Sequence, residues 1–242
     1  MFSKWLLVIC LLPATSLFSQ DLPPGTSLPV MLDSGIDAGK VTPGTVVKAR
    51  LMQDVNLPSG GRIRAGATVL GSVVEVTRPG TSADSRVTMR FDRLTQDKRT
   101  LHFRSHLRAL ASMNEVFEAQ MPTNAIDDYG TSIADWNTIQ VGGNEVVYRG
   151  DGVVVAAGKV VGDASIDGAV EAKLQPTRSA GCSAGDRPGA LWVFSTTACG
   201  VYGYEDIAIA HRGRTNPVGE IVLASKGKLQ VQGGSGLLLI TN

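Results

Sequence analysis

Basic side chains recur at every second position from residue 102 to residue 108. The four are His102, Arg104, His106 and Arg108. Alternate residues of a β-strand share one face, so these side chains are expected to form a basic stripe, extended by Arg90 on the preceding strand. Such a stripe is typical of a contact for an anionic polymer, a lipid phosphate or an acidic partner surface. A solvated outer face of a sheet produces the same pattern, so both interpretations stay open.

The histidines of this stripe are poorly spaced for metal binding. In a strand, the backbones of His102 and His106 are about 13 Å apart, whereas the ligands of one metal ion lie about 2 Å from it. Asp163 and Asp167 are too sparse for a calcium loop. The sequence also contains neither a phosphate-binding loop nor a zinc-protease helix motif. We therefore expect no metal site and no cofactor.

Ser195, Asp206 and His211 have the residue types of a hydrolase triad. The serine of many hydrolases is presented on a strained Gly-x-Ser-x-Gly turn, whereas Ser195 lies within a strand-like apolar run. The pattern therefore favours a non-catalytic protein, and no catalytic residue is assigned. A secreted hydrolase that acts on an envelope polymer is the alternative hypothesis.

Aromatic and basic residues cluster between positions 192 and 214. Aromatic rings beside arginines suit a groove for a sugar or a peptide, which makes a carbohydrate- or peptidoglycan-binding module a third hypothesis. The same pattern fits a buried tryptophan and phenylalanine beneath a disulfide-closed loop. The candidate binding residues are Trp192, Tyr202, Tyr204, Arg212 and Arg214.

Residues 1–20 have the order of a secretory signal peptide. Lys4 precedes an apolar core from Trp5 to Leu12, and small or polar residues follow as far as Gln20. The core is shorter than the roughly 20 apolar residues that span a bilayer, and an uncleaved anchor is the alternative. We therefore expect an exported protein without a transmembrane segment after cleavage. Its expected location is periplasmic, outer-membrane-associated or extracellular.

Export determines how the cysteines are interpreted. The chain has three cysteines, and Cys10 lies in the leader, which leaves Cys182 and Cys199. An even pair in an oxidising compartment predicts a disulfide. Chain-entropy models give such a short closed loop about 3 kcal/mol of stabilisation.

The charge balance excludes binding to nucleic acid by long-range attraction. The chain has 23 Lys+Arg and 22 Asp+Glu, and losing Lys4 with the leader makes the two numbers equal. A protein with no net charge attracts nucleic acid or an anionic membrane only through local patches. The expected partner is an envelope protein or polymer, and an oligomer is compatible with this composition.

The elements expected to position these residues are short strands. The 28 glycines and 11 prolines separate short strand-like segments from one another, and no sustained helical period is present. Residues 86–92 alternate cleanly, with Val87, Met89 and Phe91 predicted on one face. A further strand is predicted over residues 100–109.

These patterns predict an all-β fold, specifically an antiparallel β-barrel or sandwich of many short strands. A β-barrel-like region is assigned to residues 21–110, after the leader. Residues 111–144 are predicted to be a loop insertion with a short helix over Met113–Gln120. Residues 145–242 are predicted to be a second β region, which either completes the barrel or forms a small disulfide-tied lobe.

An ordered string of turn and strand motifs occupies residues 23 to about 110. It comprises Leu22-Pro-Pro-Gly-Thr26, Pro43-Gly-Thr-Val-Val47, Asp54-Val55, Gly61-Arg-Ile-Arg-Ala-Gly-Ala67, Val69-Leu-Gly-Ser-Val73 and Ser85-Arg-Val-Thr-Met-Arg-Phe-Asp-Arg-Leu94. This region resembles the β-barrel domain of the conjugal-transfer and type IV secretion scaffold family. The resemblance implies a barrel fold and an envelope setting. It does not imply a secretion channel, because the proline-rich spacer and apolar membrane helices of that family have no counterpart in this sequence. The favoured function is a non-catalytic structural or interaction module of the envelope.

Overall fold

The structure is a computed structural model of the chain. It describes residues 22–58, 60–78, 84–120, 136–143, 145–148, 153–156, 158–164, 170–172, 190–195, 197–211 and 219–242.

Most of the described residues form short strands. The first part of the chain contains β1 (Ser27–Leu32), β2 (Ile36–Asp37), β3 (Val46–Leu51), β4 (Val55–Asn56), β5 (Arg62–Ile63), β6 (Thr68–Thr77), β7 (Ser85–Gln96), β8 (Arg99–His102), β9 (Ser105–Ala111) and the helix α1 (Met113–Gln120). The middle part contains β10 (Trp136–Ile139), β11 (Glu145–Tyr148), β12 (Val153–Ala156), β13 (Lys159–Ala164) and β14 (Val170–Ala172). The last part contains β15 (Ala190–Leu191), β16 (Phe194–Ser195), β17 (Gly200–Tyr202), β18 (Ile207–Ile209), β19 (Ile221–Ser225), β20 (Gln230–Val231) and β21 (Gly236–Thr241).

One large sheet organises the chain. Nine of its ten strands follow the order β17-β9-β21-β1-β3-β6-β7-β19-β18, and the tenth, β8, pairs with β7 beside this path. The pairings are antiparallel except for that of β17 with β9, which is parallel. A second sheet contains β10 to β14 in sequence order, and three two-stranded sheets pair β15 with β16, β2 with β20 and β4 with β5.

This architecture confirms the expectation of a mostly β, mostly antiparallel fold, and the helix predicted over Met113–Gln120 has those bounds. The closed barrel is not observed. Within the described residues the large sheet ends at β17 on one side and β18 on the other, and no strand pairing joins these two. No helix in the described ranges has the length and apolar character needed to cross a membrane.

The centre of the large sheet is buried on both faces. Every residue of β9 and β21 is buried, whereas β3 alternates between exposed and buried positions. The second face of β21 is covered by α1 and by the β15–β16 segment. Gly236 lies at this contact, where an added Cβ would approach Val116, Phe194 and Trp192 to within 3.0–3.2 Å. The continuous apolar run of β21 fits a strand that is buried on both sides.

The β6–β7 hairpin brings the candidate basic residues to one end of the sheet. Gly71 allows close approach of these two strands, because a Cβ there would collide with the Arg90 carbonyl oxygen. The strand β7 then continues to a tight turn in which Asp97 has φ of 54°, a left-handed conformation that aspartate tolerates. The turn leads into β8, in which His102 is the register partner of Arg93.

Candidate functional site

A groove of about 530 Å³ lies where β7 meets the end of β8. Its lining residues are Arg90, Phe91, Asp92, Arg93, His102, Phe103, Arg104 and Gly219. Two of these lining residues, Phe91 and Phe103, are buried in the core. The Phe103 N–H donates to the Asp92 carbonyl over 3.1 Å, which continues the β7–β8 pairing past His102.

Arg104 leaves the β8 ladder and borders the groove from the far side. The backbone of Gly219 passes close to it, since a Cβ at Gly219 would lie 3.0 Å from the Arg104 Cβ. Gly219 has φ of 69°, which glycine adopts without steric cost. A larger residue at position 219 would therefore displace the Arg104 side chain.

The groove is positively charged. The Nε atom of Arg90 lies 3.4 Å from one carboxylate oxygen of Asp92, and that of Arg93 lies 3.2 Å from the other. One carboxylate thus orients two guanidinium groups, and three arginines against one aspartate leave two positive charges in the lining when His102 is neutral. Exposed ion pairs of this kind contribute little stability, so their effect is mainly on side-chain orientation.

The prediction that four basic side chains share one exposed stripe is wrong at His106. This residue is buried, with 7% of its surface exposed. Its Nδ1 lies 2.8 Å from the Asn242 Oδ1, and its backbone is paired with that of Ile240. Burial lowers the pKa of His106. The Asn242 hydrogen bond opposes this shift, and the charge of Arg108 adds to it. His106 is therefore held neutral inside the sheet, where an external binding partner cannot contact it.

Arg108 also departs from the expectation, because it is 2% exposed. It lies at an irregularity in the β9–β21 register, where Leu107 pairs with Leu239 but Ala109 pairs with Leu238. Burial lowers the pKa of Arg108, and the Tyr202 hydroxyl acts in the opposite direction. The single strand predicted over residues 100–109 is in fact two strands, β8 and β9, which pair with different neighbours.

The aromatic set does not form an open platform in the described residues. Trp192 is 6% exposed and packs edge to face against Phe194, with ring centroids 6.3 Å apart. This placement agrees with the alternative of a buried aromatic pair. The Tyr202 hydroxyl accepts from the Cys199 N–H over 3.0 Å, and the Tyr204 hydroxyl lies 2.7 Å from the Ser235 Oγ. The candidates Arg212 and Arg214 lie outside the described residues.

The residues considered for catalysis differ in their exposure. Ser195 is fully buried, and its Oγ accepts a hydrogen bond from the Thr197 N–H over 3.0 Å. Asp206 and His211 are both exposed. A substrate therefore has no access to the Ser195 hydroxyl in this structure.

The remaining sequence candidates concern cysteines and metal ligands. Cys199 is half-buried, and Cys182 lies outside the described residues. Of the two aspartates, Asp167 lies outside the described residues and the side chain of Asp163 is not described. Among the residues that the structure describes, no group of three or more histidine, cysteine, aspartate or glutamate side chains is placed to hold a metal ion.

Sequence reasoning missed a second cavity, beside α1, because its lining comes from distant parts of the chain. It is bordered by Glu115, Glu118 and Gln140 among others. The pattern Ser-x-x-Glu at Ser112–Glu115 signals the start of a helix. No sequence signal indicates that Gln140 is buried next to it.

No protein-family model matches this chain, and no curated protein matches it. The resemblance of residues 23–110 to secretion scaffold barrels therefore stays an expectation.

Proposed function

We propose that this protein is a non-catalytic interaction module of the cell envelope that binds an anionic partner through the groove around Arg104. The observation that carries the proposal is the convergence of Arg90, Arg93, Arg104 and His102 on one depression whose only acidic residue is Asp92. Arginine presents several N–H donors in a planar fork, which suits carboxylate and phosphate groups.

The geometry favours binding over catalysis. Arg90 and Arg93 contact Asp92 through their Nε atoms, and in this proposal the N–H donors on their terminal nitrogens bind the ligand. Phe91 and Phe103, which also line the groove, are anchored in the buried core. Such a preorganised surface reduces the entropy that is lost when a ligand binds.

The envelope setting is part of the same proposal. It is supported by the leader-like order of residues 1–20 and by the resemblance of residues 23–110 to an envelope barrel domain. A Cys182–Cys199 disulfide also belongs to it. The support is that Cys182 and Cys199 are the two cysteines of the sequence after residue 20, an even pair that an oxidising compartment would join.

Two matched double variants test the groove. Arg90→Gln with Arg104→Gln removes two positive charges from the lining, whereas Arg86→Gln with Arg99→Gln removes two exposed charges from β7 and β8 outside it. Binding of the purified protein to poly-glutamate and to inorganic polyphosphate would be measured at 50 and 200 mM salt. The two probes distinguish a carboxylate from a phosphate ligand.

We expect the groove variant to bind at least about tenfold more weakly, because each lost contact to a charged group costs about 1.5–3 kcal/mol. The control should bind like the wild type, and affinity should fall as salt rises. Both variants should change the unfolding free energy by less than about 0.5 kcal/mol, since the sites are exposed. An equal loss of affinity in the two variants would show that binding depends only on the net charge of the protein, which would contradict the proposal.

A further inference from the structure

A β-bulge in β7 brings three charged side chains of this strand to the groove. Two consecutive residues of β6 have Arg93 and Phe91 as their register partners, so Asp92 between them is the extra residue. An extra residue bends the strand and re-aims the side chains beside it. Arg90, Asp92 and Arg93 are all partly exposed, with 54%, 36% and 48% of their side chains accessible, although strict alternation would turn Arg93 to the opposite face.

His102 lies directly opposite one of these arginines. It is the register partner of Arg93 in the antiparallel pair of β7 and β8. Side chains at directly opposite positions share one face of a sheet, and their Cβ atoms are about 4.5–5.5 Å apart. His102 is exposed and lines the groove together with Arg93 and Arg104. The charge of the imidazole therefore acts on any ligand that these two arginines bind.

The segments packed around His102 carry few titratable groups. The charged residues that line the groove with it are Arg90, Asp92, Arg93 and Arg104. Leu22, whose N–H donates to the His102 carbonyl over 3.1 Å, has no charged side chain. Gly219 borders the groove from the remaining segment, and the half-buried Glu220 follows it. Histidine is the side chain that ordinarily changes its charge between pH 5 and 8, so the imidazole is the group that can make this lining sensitive to pH.

We propose that protonation of His102 regulates the groove, so that the groove binds its anionic ligand more tightly at pH 5.5 than at pH 8. This regulation rests on the proposed function, because it concerns the same groove. The protonated imidazole adds a third positive charge to the two that the lining has when His102 is neutral. Without a ligand this charge faces Arg93 across the two strands, and like charges at opposite positions repel each other. A bound anion offsets that repulsion, so binding of the anion and uptake of a proton from solvent favour each other.

Calorimetric titration of the purified chain with dextran sulfate at pH 5.5, 6.5 and 8 and at constant ionic strength tests this proposal. Sulfate esters keep their charge over this range, so a change in affinity reports on the protein. We expect the affinity of the wild type to rise at least about threefold from pH 8 to pH 5.5, which is the scale of one charge contact at an exposed site. Titrations at pH 6.5 in buffers with different ionisation enthalpies should show uptake of a fraction of one proton on binding.

Three variants assign the proton to one histidine. His102→Gln should bring the ratio of the affinities at pH 5.5 and pH 8 close to one and abolish the proton uptake. His102→Lys carries its charge at both pH values, so it should bind dextran sulfate more tightly than the wild type at pH 8. His211→Gln is the matched control, because this exposed histidine lies outside the groove and its loss should leave the full pH dependence. Both positions are exposed, so circular dichroism should show intact folds.

The outcomes separate this inference from the proposed function. An affinity that does not change with pH, or a pH dependence that persists in His102→Gln, would overturn the inference. The proposed function would stand in that case if Arg90→Gln with Arg104→Gln still weakens the binding of dextran sulfate. A wild type that binds no dextran sulfate at any of the three pH values would overturn both.

Discussion

His106 and Asn242 are joined by a hydrogen bond of 2.8 Å between the imidazole Nδ1 and the amide Oδ1. An amide oxygen accepts, so Nδ1 carries the proton in the neutral ring. The Asn242 N–H also donates to the Arg104 carbonyl over 2.8 Å. The buried histidine is thereby connected to the segment that carries a groove arginine.

The first prediction follows from the lowered pKa of His106. A histidine with a depressed pKa in the folded state stays neutral there, while the unfolded chain takes up a proton below pH 6.5. Its contribution to stability is therefore complete above pH 6.5 and is lost as the pH falls toward the folded-state pKa. One proton gives a slope of at most about 1.4 kcal/mol per pH unit.

Urea unfolding of the wild type and of His106→Gln at pH 7.5, 6.5 and 5.5 measures this slope. The difference in unfolding free energy between the two proteins should shrink as the pH falls, because the variant has no proton to take up at this position. His102→Gln is the control, since that histidine is exposed. A difference that stays constant over this range would show that His106 does not titrate differently in the two states.

The second prediction concerns the β6–β7 contact. Gly71→Ala places a Cβ against the Arg90 carbonyl oxygen, so the hairpin must spread. We expect a loss of about 1–3 kcal/mol in unfolding free energy, as for other overpacked sites. Gly227→Ala is the control, because a Cβ there meets nothing within 4 Å. Calorimetry that finds equal midpoints for the two variants would disprove the close approach.

The third prediction concerns the cysteines and the leader. Mass spectrometry of the native protein should find an amino terminus near Asp21, and alkylation under denaturing, non-reducing conditions should find no free thiol. Cys182→Ser should then release one reactive thiol at Cys199 and lower the unfolding free energy by about 2–4 kcal/mol. Two reactive thiols in the wild type would exclude the disulfide and leave Cys199 available for chemistry.

The periodicity of apolar residues predicted those elements in which the residues of the segment itself indicate which face is buried. In β7, Val87, Met89 and Phe91 are buried and Arg90 is exposed, as their alternation indicates. The helix over Met113–Gln120 was likewise predictable from its sequence. The covered face of α1 was less predictable, because Val116 and Ala119 are buried whereas Met113 and Phe117 are exposed.

Periodicity failed where distant segments decide burial. From Ser105 to Ala111 basic and apolar residues alternate, which predicts one solvent-exposed face. In the structure both faces of β9 are buried. The residues that cover the centre of the sheet, such as Val116 and Phe194, lie in other parts of the chain. The pattern also cannot show that the chain changes partner strands between His102 and Ser105. Half of the expected stripe, His102 and Arg104, therefore lines the groove, and the other half is buried.

The pairing of β1 with β21 has a consequence for the kinetics of folding. Ser27 is paired with Ile240, so the middle of the large sheet joins strands from nearly opposite parts of the chain. The strand β9 completes its pairing only with β21 and β17, which follow much later in the chain. Such non-local contacts require closure of long loops before they add stability, and folding with this contact order is slow. During synthesis β1 can pair with β3 but not with β21 until Gly236–Thr241 emerges, so we expect this middle part of the sheet to be completed late.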